Sequence, residues 1–283
     1  MDWARDMPTW PHGDWSRQIL SRPHRWHVQE AGKGPTLLFL HGAGGATQSF
    51  RDLLPLFTDA YHVVAPDLPG QGFTKLGTRQ RCGIDRMAED IKTLCHSQHW
   101  APQAIIGHSA GGALALRLSQ MMEVPRIVGI NPALSHFDGV AGWLFPMLAK
   151  LLALNPFVPD LLTLGAGRAT RAESLTRGTG STIPEEGYRL YSRLIRDRQH
   201  VEGTLQMMAQ WALDGLLADL PNITAKVLLI TGDRDRAVPP DTSVKAAAQI
   251  PDAQVIDLPG LGHLAHEEDP ERVAQHIRAF LTA

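Results

Sequence analysis

Short runs of apolar residues recur along the chain, and amphipathic stretches separate them. The run Thr36–Leu40 is continuous and stops at His41, which is typical of a strand buried on both faces of a parallel sheet. Similar runs predict strands at residues 62–65, 104–106, 127–130, 227–231 and 255–258, and an alternating pattern predicts one at residues 25–30. We also expect a first edge strand within residues 1–24.

Helical periodicity lies between the apolar runs. Residues 84–99 place their apolar positions on one helical face, and residues 112–122 read as a helix rich in small residues. This alternation of strand and helix predicts an α/β fold with a doubly wound, mostly parallel sheet and helices on both faces. Its loops should converge at the carboxyl ends of the strands.

The alternation is interrupted once. Residues 132–221 contain helical segments and no convincing strand, and the strand–helix alternation then resumes. Because the strands on either side must belong to one sheet, we interpret residues 1–283 as a single α/β domain. A helical cap is inserted in it at about residues 132–221.

The amino-acid composition mainly excludes classes of protein and of binding site. The chain has 43% hydrophobic residues, and 27 Lys plus Arg against 29 Asp plus Glu give a net charge of −2, which disfavours nucleic-acid binding. Two cysteines form neither a disulfide framework nor a zinc motif, so we expect a reducing compartment. The first ten residues lack the features of a signal or transit peptide, which predicts a cytoplasmic protein.

The most hydrophobic stretch, residues 139–164, is interrupted by prolines and charged residues. It falls short of the roughly 20 apolar residues that a spanning helix needs. We therefore expect no transmembrane segment, while peripheral contact with a membrane surface stays open.

The candidate nucleophile is Ser109. It lies in the sequence GHSAG at residues 107–111, a GxSxG motif that directly follows a predicted strand and precedes a predicted helix. Such a sharp turn needs small neighbours, and it presents the serine at a helix N-terminus, where developing negative charge is stabilised. The alternative is a glycine-rich turn with an incidental serine.

A serine hydroxyl needs a base, and the base needs an acid that orients it. In this architecture the acid and then the histidine follow the serine along the chain. Asp233 and Asp235 both follow the strand at 227–231, and we prefer Asp235 because Asp233 is nearer the strand end and is expected to hold the loop. The end of the preceding strand, an alternative place for the acid, carries Asn131.

The candidate base is His263. It follows two glycines in a loop after the last predicted strand, which allows the loop to bring the imidazole towards Ser109. His266 lies three residues further on and is expected to point along the following turn.

A glycine-rich loop follows the strand Thr36–Leu40 with the sequence HGAGG. It predicts an oxyanion hole formed by the backbone N–H groups of Ala43 and Ala110. A phosphate-binding loop is the competing interpretation, but neither GxxxxGK[ST] nor GxGxxG occurs. We expect no cofactor and no metal site.

At these motifs the sequence resembles the α/β-hydrolase family over nearly the whole chain. The segment DLPGQG at residues 67–72 is similar to the DxPGxGxS loop of that family, with Phe73 and Thr74 in place of the serine. The ending EDPE at 268–271 is similar to the start of its terminal helix. The resemblance implies a serine hydrolase that acts on an ester or an amide.

Finer features resemble one subgroup, the magnesium-chelatase-associated hydrolase-like proteins of bacteriochlorophyll biosynthesis in photosynthetic bacteria. They are WHVQ at 26–29, FRDLLPL at 50–56, VAPDLPG at 64–70, NPAL at 131–134, LALNP at 152–156 and LPGLGHLAHEE at 258–268. This resemblance implies action at or near the step where magnesium enters protoporphyrin, and association with magnesium chelatase. It implies no particular reaction.

The predicted cap is apolar in its first part and basic in its second part. A flat apolar tetrapyrrole with carboxylates would suit both, so Trp143, Phe145, Arg168 and Arg177 are candidate substrate-binding residues. Alternatively, the apolar residues pack the cap onto the sheet and the arginines are solvated.

Two functions of another class stay open beside the serine hydrolase. One is a non-catalytic accessory protein that binds a porphyrin or the chelatase. The other is a hydrolase of small-molecule esters that has no connection with pigments.

Overall fold

The strands form one sheet in the computed structural model, which describes residues 1–135, 158–163 and 169–283. The strand order is β1-β2-β4-β3-β5-β6-β7-β8. The bounds are β1 Ser16–Ser21, β2 His24–Ala31, β3 Thr36–Leu40, β4 His62–Pro66, β5 Pro102–His108, β6 Arg126–Ile130, β7 Lys226–Gly232 and β8 Ala253–Leu258. Pairs β1/β2 and β2/β4 are antiparallel and the others are parallel, which confirms the predicted fold class.

Helices cover both faces of this sheet. The described α-helices are α1 Trp3–Asp6, α2 Ile84–Ser97, α3 Ala110–Ser119, α4 Val158–Thr163, α5 Ala169–Gly178, α6 Glu185–Ile195, α7 Arg198–Gln210, α8 Asp214–Ala218, α9 Asp241–Ala247, α10 Ala265–Glu268 and α11 Pro270–Thr282. None of these described helices has the length and apolar character needed to cross a membrane.

The central strands are buried on both faces, which explains their unbroken apolar runs. Leu38 and Leu40 of β3 belong to the core under α2 and α3, whereas Leu37 and Phe39 belong to the opposite core under α11. Successive side chains of a strand point to opposite faces, so a strand covered twice needs apolar residues throughout.

Both cysteines are part of the first of these cores. Cys82 and Cys95 are unpaired and fully buried, and burial raises the pKa of each thiol to about 12. The reactive thiolate is therefore strongly disfavoured at either position.

Helices α4 to α8 lie along the chain between β6 and β7, and no strand occurs among the described residues of that stretch. Strands β6 and β7 are parallel neighbours in the sheet. The chain therefore leaves the sheet after β6 and returns beside it. The boundaries of the cap, at about residues 132 and 221, stay a prediction.

Helix α7 packs directly on the loop that follows β4. A Cβ at Gly203 would lie 2.3 Å from the Gly70 carbonyl oxygen, and a Cβ at Gly70 would lie 2.9 Å from the Gly203 Cα. Backbone therefore touches backbone at this crossing, and only glycine permits that approach.

Candidate active site

Ser109 lies on the turn between β5 and α3, in a strained backbone conformation with φ 53° and ψ −117°. The turn requires its glycines. A Cβ at Gly107 would lie 2.1 Å from the Gly111 carbonyl oxygen, and a Cβ at Gly111 would lie 2.0 Å from the Leu40 carbonyl oxygen. Strain of this kind persists only where the surrounding structure imposes it, and it is typical of functional sites.

Asp235 and His263 are joined by a hydrogen bond. The His263 Nδ1 lies 2.7 Å from Asp235 Oδ2, while Asp235 Oδ1 accepts from the amides of Ala237 and Val238 at 2.8 Å each. The Asp235 side chain is fully buried and that of His263 is 10% exposed. Since a carboxylate accepts the Nδ1 proton, the neutral imidazole presents an unprotonated Nε2.

Ser109 and His263 line one cavity, so the structure brings the three predicted triad residues together. The Ser109 hydroxyl makes no hydrogen bond to any described residue. In ligand-free sites the bond between nucleophile and base is commonly loose, and it tightens when substrate binds.

The two alternative residues make other contacts. Asp233 is exposed, and its Oδ1 accepts from the Gly260 amide at 2.7 Å, so it holds the loop as expected. His266 is fully buried, with its Nε2 2.8 Å from Ser49 Oγ, and burial lowers its pKa to about 3.

Asn131 anchors the loop that carries His263. Its Nδ2 donates to the carbonyl oxygens of Gly262 at 3.0 Å and His263 at 2.8 Å, and its Oδ1 accepts from the Gly232 amide at 2.8 Å. Sequence reasoning treated Asn131 only as a position without an acid. Its φ of 44° fits the left-handed tolerance of asparagine, but the sequence alone did not indicate this role.

The predicted oxyanion loop follows β3. No described residue accepts a hydrogen bond from the amide of Ala43 or of Ala110, so both donors remain available. Ala43 lines the cavity beside Ser109. A Cβ at Gly42 would lie 2.9 Å from the His108 ring and 3.0 Å from the Ser109 Cβ, so glycine is needed for this close approach.

Two side chains fix Gly44 within this loop. The Gly44 amide donates to Gln71 Oε1 at 2.7 Å, and His200 Nε2 donates to the Gly44 carbonyl at 3.1 Å. The other ring nitrogen of His200 accepts from the Gly72 amide at 3.0 Å. Helix α7 therefore bonds directly to the loop.

Buried histidines support the site in their neutral forms. The Nδ1 of His41 donates to the Gly42 carbonyl and its Nε2 accepts from the Leu68 amide, at 2.8 and 2.9 Å. His108 Nε2 donates to the His263 carbonyl at 2.9 Å. Burial lowers the pKa of His41, lowers that of His200 to about 4 and lowers that of His108 well below its usual range.

The cavity beside Ser109 has a volume of about 240 Å³ and is roofed by α5 and α6. Its lining is largely apolar. The lining residues are Gly42, Ala43, Gly44, Gly45, Ser49, His108, Ser109, Ala172, Leu175, Thr176, Thr179, Tyr191, Ile195, His263 and Leu264.

Two lining hydroxyls join a buried ionic cluster that sequence reasoning missed. Tyr191 Oη and Ser49 Oγ lie 2.7 and 3.0 Å from Glu267 Oε1, and Arg51 pairs with the other carboxylate oxygen. Burial raises the pKa of Glu267, while Arg51, Tyr191 and Ser49 act in the opposite direction. In the sequence, only the pair of adjacent glutamates, Glu267 and Glu268, could have indicated that this cluster exists.

The predicted tetrapyrrole-binding residues are not assembled at this cavity. Trp143, Phe145 and Arg168 lie outside the described residues. Arg177 is exposed on α5, pairs with Glu173 at 2.9 Å and lines a separate groove together with residues 180–182 and 233–236. Within the described parts of the chain, no group of three His, Cys, Asp or Glu residues is arranged to hold a metal ion.

Comparison with known proteins supplies the wider context. A family model for the alpha/beta hydrolase fold matches residues 35–270. The chain is 45% identical over 260 residues to the "Magnesium-chelatase 30 kDa subunit" of Rhodobacter capsulatus, covering 91% of each chain. It is 30% identical over 276 residues to the 2-hydroxy-6-oxo-6-phenylhexa-2,4-dienoate hydrolase of Burkholderia cepacia, again covering 91% of each.

A solved structure is similar in fold. The esterase of Exiguobacterium antarcticum superimposes with a TM-score of 0.78 at 17% identity, over 94% of this chain and 99% of that one.

Proposed function

Because the chain belongs to the α/β-hydrolase fold family, we propose that it is a serine hydrolase that cleaves an ester or an amide. Ser109 is the nucleophile, His263 the general base and Asp235 the acid that orients it. The observation that carries this proposal is the hydrogen bond between His263 and the buried Asp235, formed beside Ser109 in one cavity.

The mechanism follows from the geometry. As Ser109 Oγ attacks the substrate carbonyl carbon, His263 Nε2 takes the hydroxyl proton, and Asp235 stabilises the imidazolium that forms. The amides of Ala43 and Ala110 stabilise the oxyanion, a contribution of about 100- to 1,000-fold in rate for one such donor. His263 then gives its proton to the leaving group, and water hydrolyses the acyl-enzyme by the same steps.

Intact-mass analysis after treatment with a fluorophosphonate tests the proposal. We expect one adduct on the wild-type protein and none on Ser109→Ala. A matched control is Ser97→Ala, whose hydroxyl bonds the Leu94 carbonyl on the far helix α2 and which should label normally. A folded wild-type protein without an adduct would favour the non-catalytic accessory function.

The relative named as a magnesium-chelatase subunit supports a second level of the proposal. We propose that the protein acts in the cytoplasm at or near the magnesium-chelatase step of bacteriochlorophyll biosynthesis, in association with the chelatase and with a tetrapyrrole as ligand. Added magnesium protoporphyrin should quench the tryptophan fluorescence with a dissociation constant of about 1 μM or lower. Trp143→Ala and Phe145→Ala should each weaken binding.

If the protein neither binds porphyrin nor co-sediments with purified chelatase, the second level of the proposal fails. The remaining function is then hydrolysis of small-molecule esters that have no connection with pigments. Equal binding by an unrelated serine hydrolase would count against the pigment ligand in the same way.

A further inference from the structure

Two residues that line the cavity beside Ser109, Ser49 and Tyr191, carry hydroxyl groups. Both are hydrogen-bonded to the same carboxylate oxygen, Glu267 Oε1, at 3.0 and 2.7 Å. Glu267 is 2% exposed and its other oxygen is held by the buried Arg51. The carboxylate is thus fixed behind the two hydroxyls.

The hydrogen-bond directions follow from the number of protons. A carboxylate paired with arginine only accepts, so Tyr191 and Ser49 each donate their single hydroxyl proton to Glu267. His266 Nε2, 2.8 Å from Ser49 Oγ, must then donate to the serine oxygen. Tyr191 lies 3.5 Å from Ser49 Oγ, which is longer than its bond to Glu267. The hydroxyl oxygens therefore retain only acceptor lone pairs.

The net charge of the cluster formed by Glu267, Arg51, His266, Tyr191 and Ser49 determines whether a charged or a neutral donor binds to its hydroxyls. Glu267 is balanced by Arg51, and burial leaves His266 neutral because it lowers the pKa of that ring to about 3. Arg51 also approaches the exposed Asp52, whose charge is screened by solvent. With the buried charges balanced, desolvation of an ammonium group would find no compensating net negative charge.

We propose that Tyr191 and Ser49 form a subsite that binds a neutral hydrogen-bond donor of the substrate, an alcohol O–H or an amide N–H. The surrounding lining of Ala172, Leu175, Ile195 and Leu264 fits an apolar arm that carries this donor. This inference rests on the proposed serine-hydrolase function and names the class of its substrate.

Paired esters, in which a methyl group replaces one amide hydrogen, test the subsite. One member of each pair carries a secondary N-acetyl amide on a two- or three-carbon arm, and the other carries its N-methyl counterpart, which accepts but cannot donate. The amide is placed in the acyl arm in one series and in the alcohol arm in the other. Turnover is followed by acid release in a pH-stat. We expect kcat/KM to favour the N–H member by about 10-fold in at least one series, as for one buried hydrogen bond.

The variants Tyr191→Phe and Ser49→Ala should reduce this ratio to near one. Because the ratio is taken within each variant, a general loss of activity cancels. Matched controls are Tyr188→Phe and Ser192→Ala, which change buried hydroxyl-bearing residues of the same helix that do not line the cavity. Both should keep the wild-type ratio.

The outcomes separate this proposal from the proposed function. Hydrolysis of both members at equal rates in both series overturns the subsite and leaves the serine hydrolase intact. A wild-type preference that survives in both cavity variants places donor recognition elsewhere and also overturns it. No hydrolysis of any ester, with no fluorophosphonate adduct, overturns the hydrolase proposal and the subsite with it.

Discussion

Asp233 and Asp235 are two positions apart on one loop, yet only Asp235 meets an imidazole. We predict that Asp235→Asn lowers kcat by about 10,000-fold, because the amide no longer holds His263 in the required tautomer. Asp233→Asn keeps an oxygen that can accept from the Gly260 amide and removes only the negative charge, so it should change kcat by a few-fold at most. Steady-state hydrolysis of an activated ester measures both. Equal losses would mean that the acid is assigned wrongly.

Glu267 and Arg51 form an ion pair that is almost completely shielded from water, with side chains 0% and 5% exposed. Glu267→Gln removes the buried negative charge that balances the guanidinium, and we expect the free energy of unfolding to fall by about 3 kcal/mol. Glu173→Gln is the matched control, since it breaks the exposed pair with Arg177 and should cost less than about 1 kcal/mol. Urea denaturation measures both, and comparable values would contradict the assigned burial.

At the scale of single residues, the sequence predicted the candidate site residues that lie in short local motifs. Ser109, Asp235 and His263 each lie in a short motif with recognisable neighbours, whereas Arg51 and Glu267 are 216 positions apart and have no motif of their own. Whether a charged residue is buried depends on its partner, and the partner is visible only after folding. The roles of the triad residues themselves stay predictions.

At the scale of elements, the backbone of α7 packs directly against the backbone of the loop that follows β4. Alanine normally stabilises a helix relative to glycine, but a Cβ at Gly203 would lie 2.3 Å from the Gly70 carbonyl oxygen. We therefore predict that Gly203→Ala lowers the free energy of unfolding by about 1 to 3 kcal/mol. Gly215→Ala in α8, where nothing lies within 4 Å, should be neutral or stabilising. Thermal unfolding compares the two, and a stabilised Gly203→Ala would refute the contact.

Element positions were largely predictable, and their ends were less so. The apolar run of β3 gave its bounds without error because both faces are buried. Helix α3, expected at residues 112–122, occupies Ala110–Ser119. The glycines of the elbow disfavour a helix by propensity, yet the turn at Ser109 starts the helix immediately. Tertiary packing thus outweighs local propensity at this point.

For the molecule as a whole, buried histidines make stability depend on pH. The pKa values of His200 and His266 fall from 6.5 to about 4 and about 3 on burial. Both are neutral in the folded state, so below pH 6.5 the unfolded chain binds protons that the folded chain does not. Stability is therefore full above this value and is lost as pH falls towards the folded pKa values.

From His200 and His266 alone we expect the free energy of unfolding to drop by about 4 kcal/mol between about pH 7.5 and about pH 5. Urea titrations at several pH values measure the slope. His200→Gln should reduce it by about one proton, whereas His96→Gln, at an exposed position, should leave it unchanged. A flat profile in the wild-type protein would rule out this contribution.

The hydrogen bonds of the Asn131 carboxamide also limit where the acid of the proposed triad can move during evolution. Moving the proposed catalytic acid from the end of β7 to the end of β6 requires a carboxylate at position 131. Such a group would direct negative charge at the Gly262 and His263 carbonyl oxygens, which now accept from Nδ2 at 3.0 and 2.8 Å. The loop that carries His263 would have to be rebuilt before the acid could change strands. Along single-substitution paths, descendants of this chain can therefore lose the acid more readily than they can relocate it.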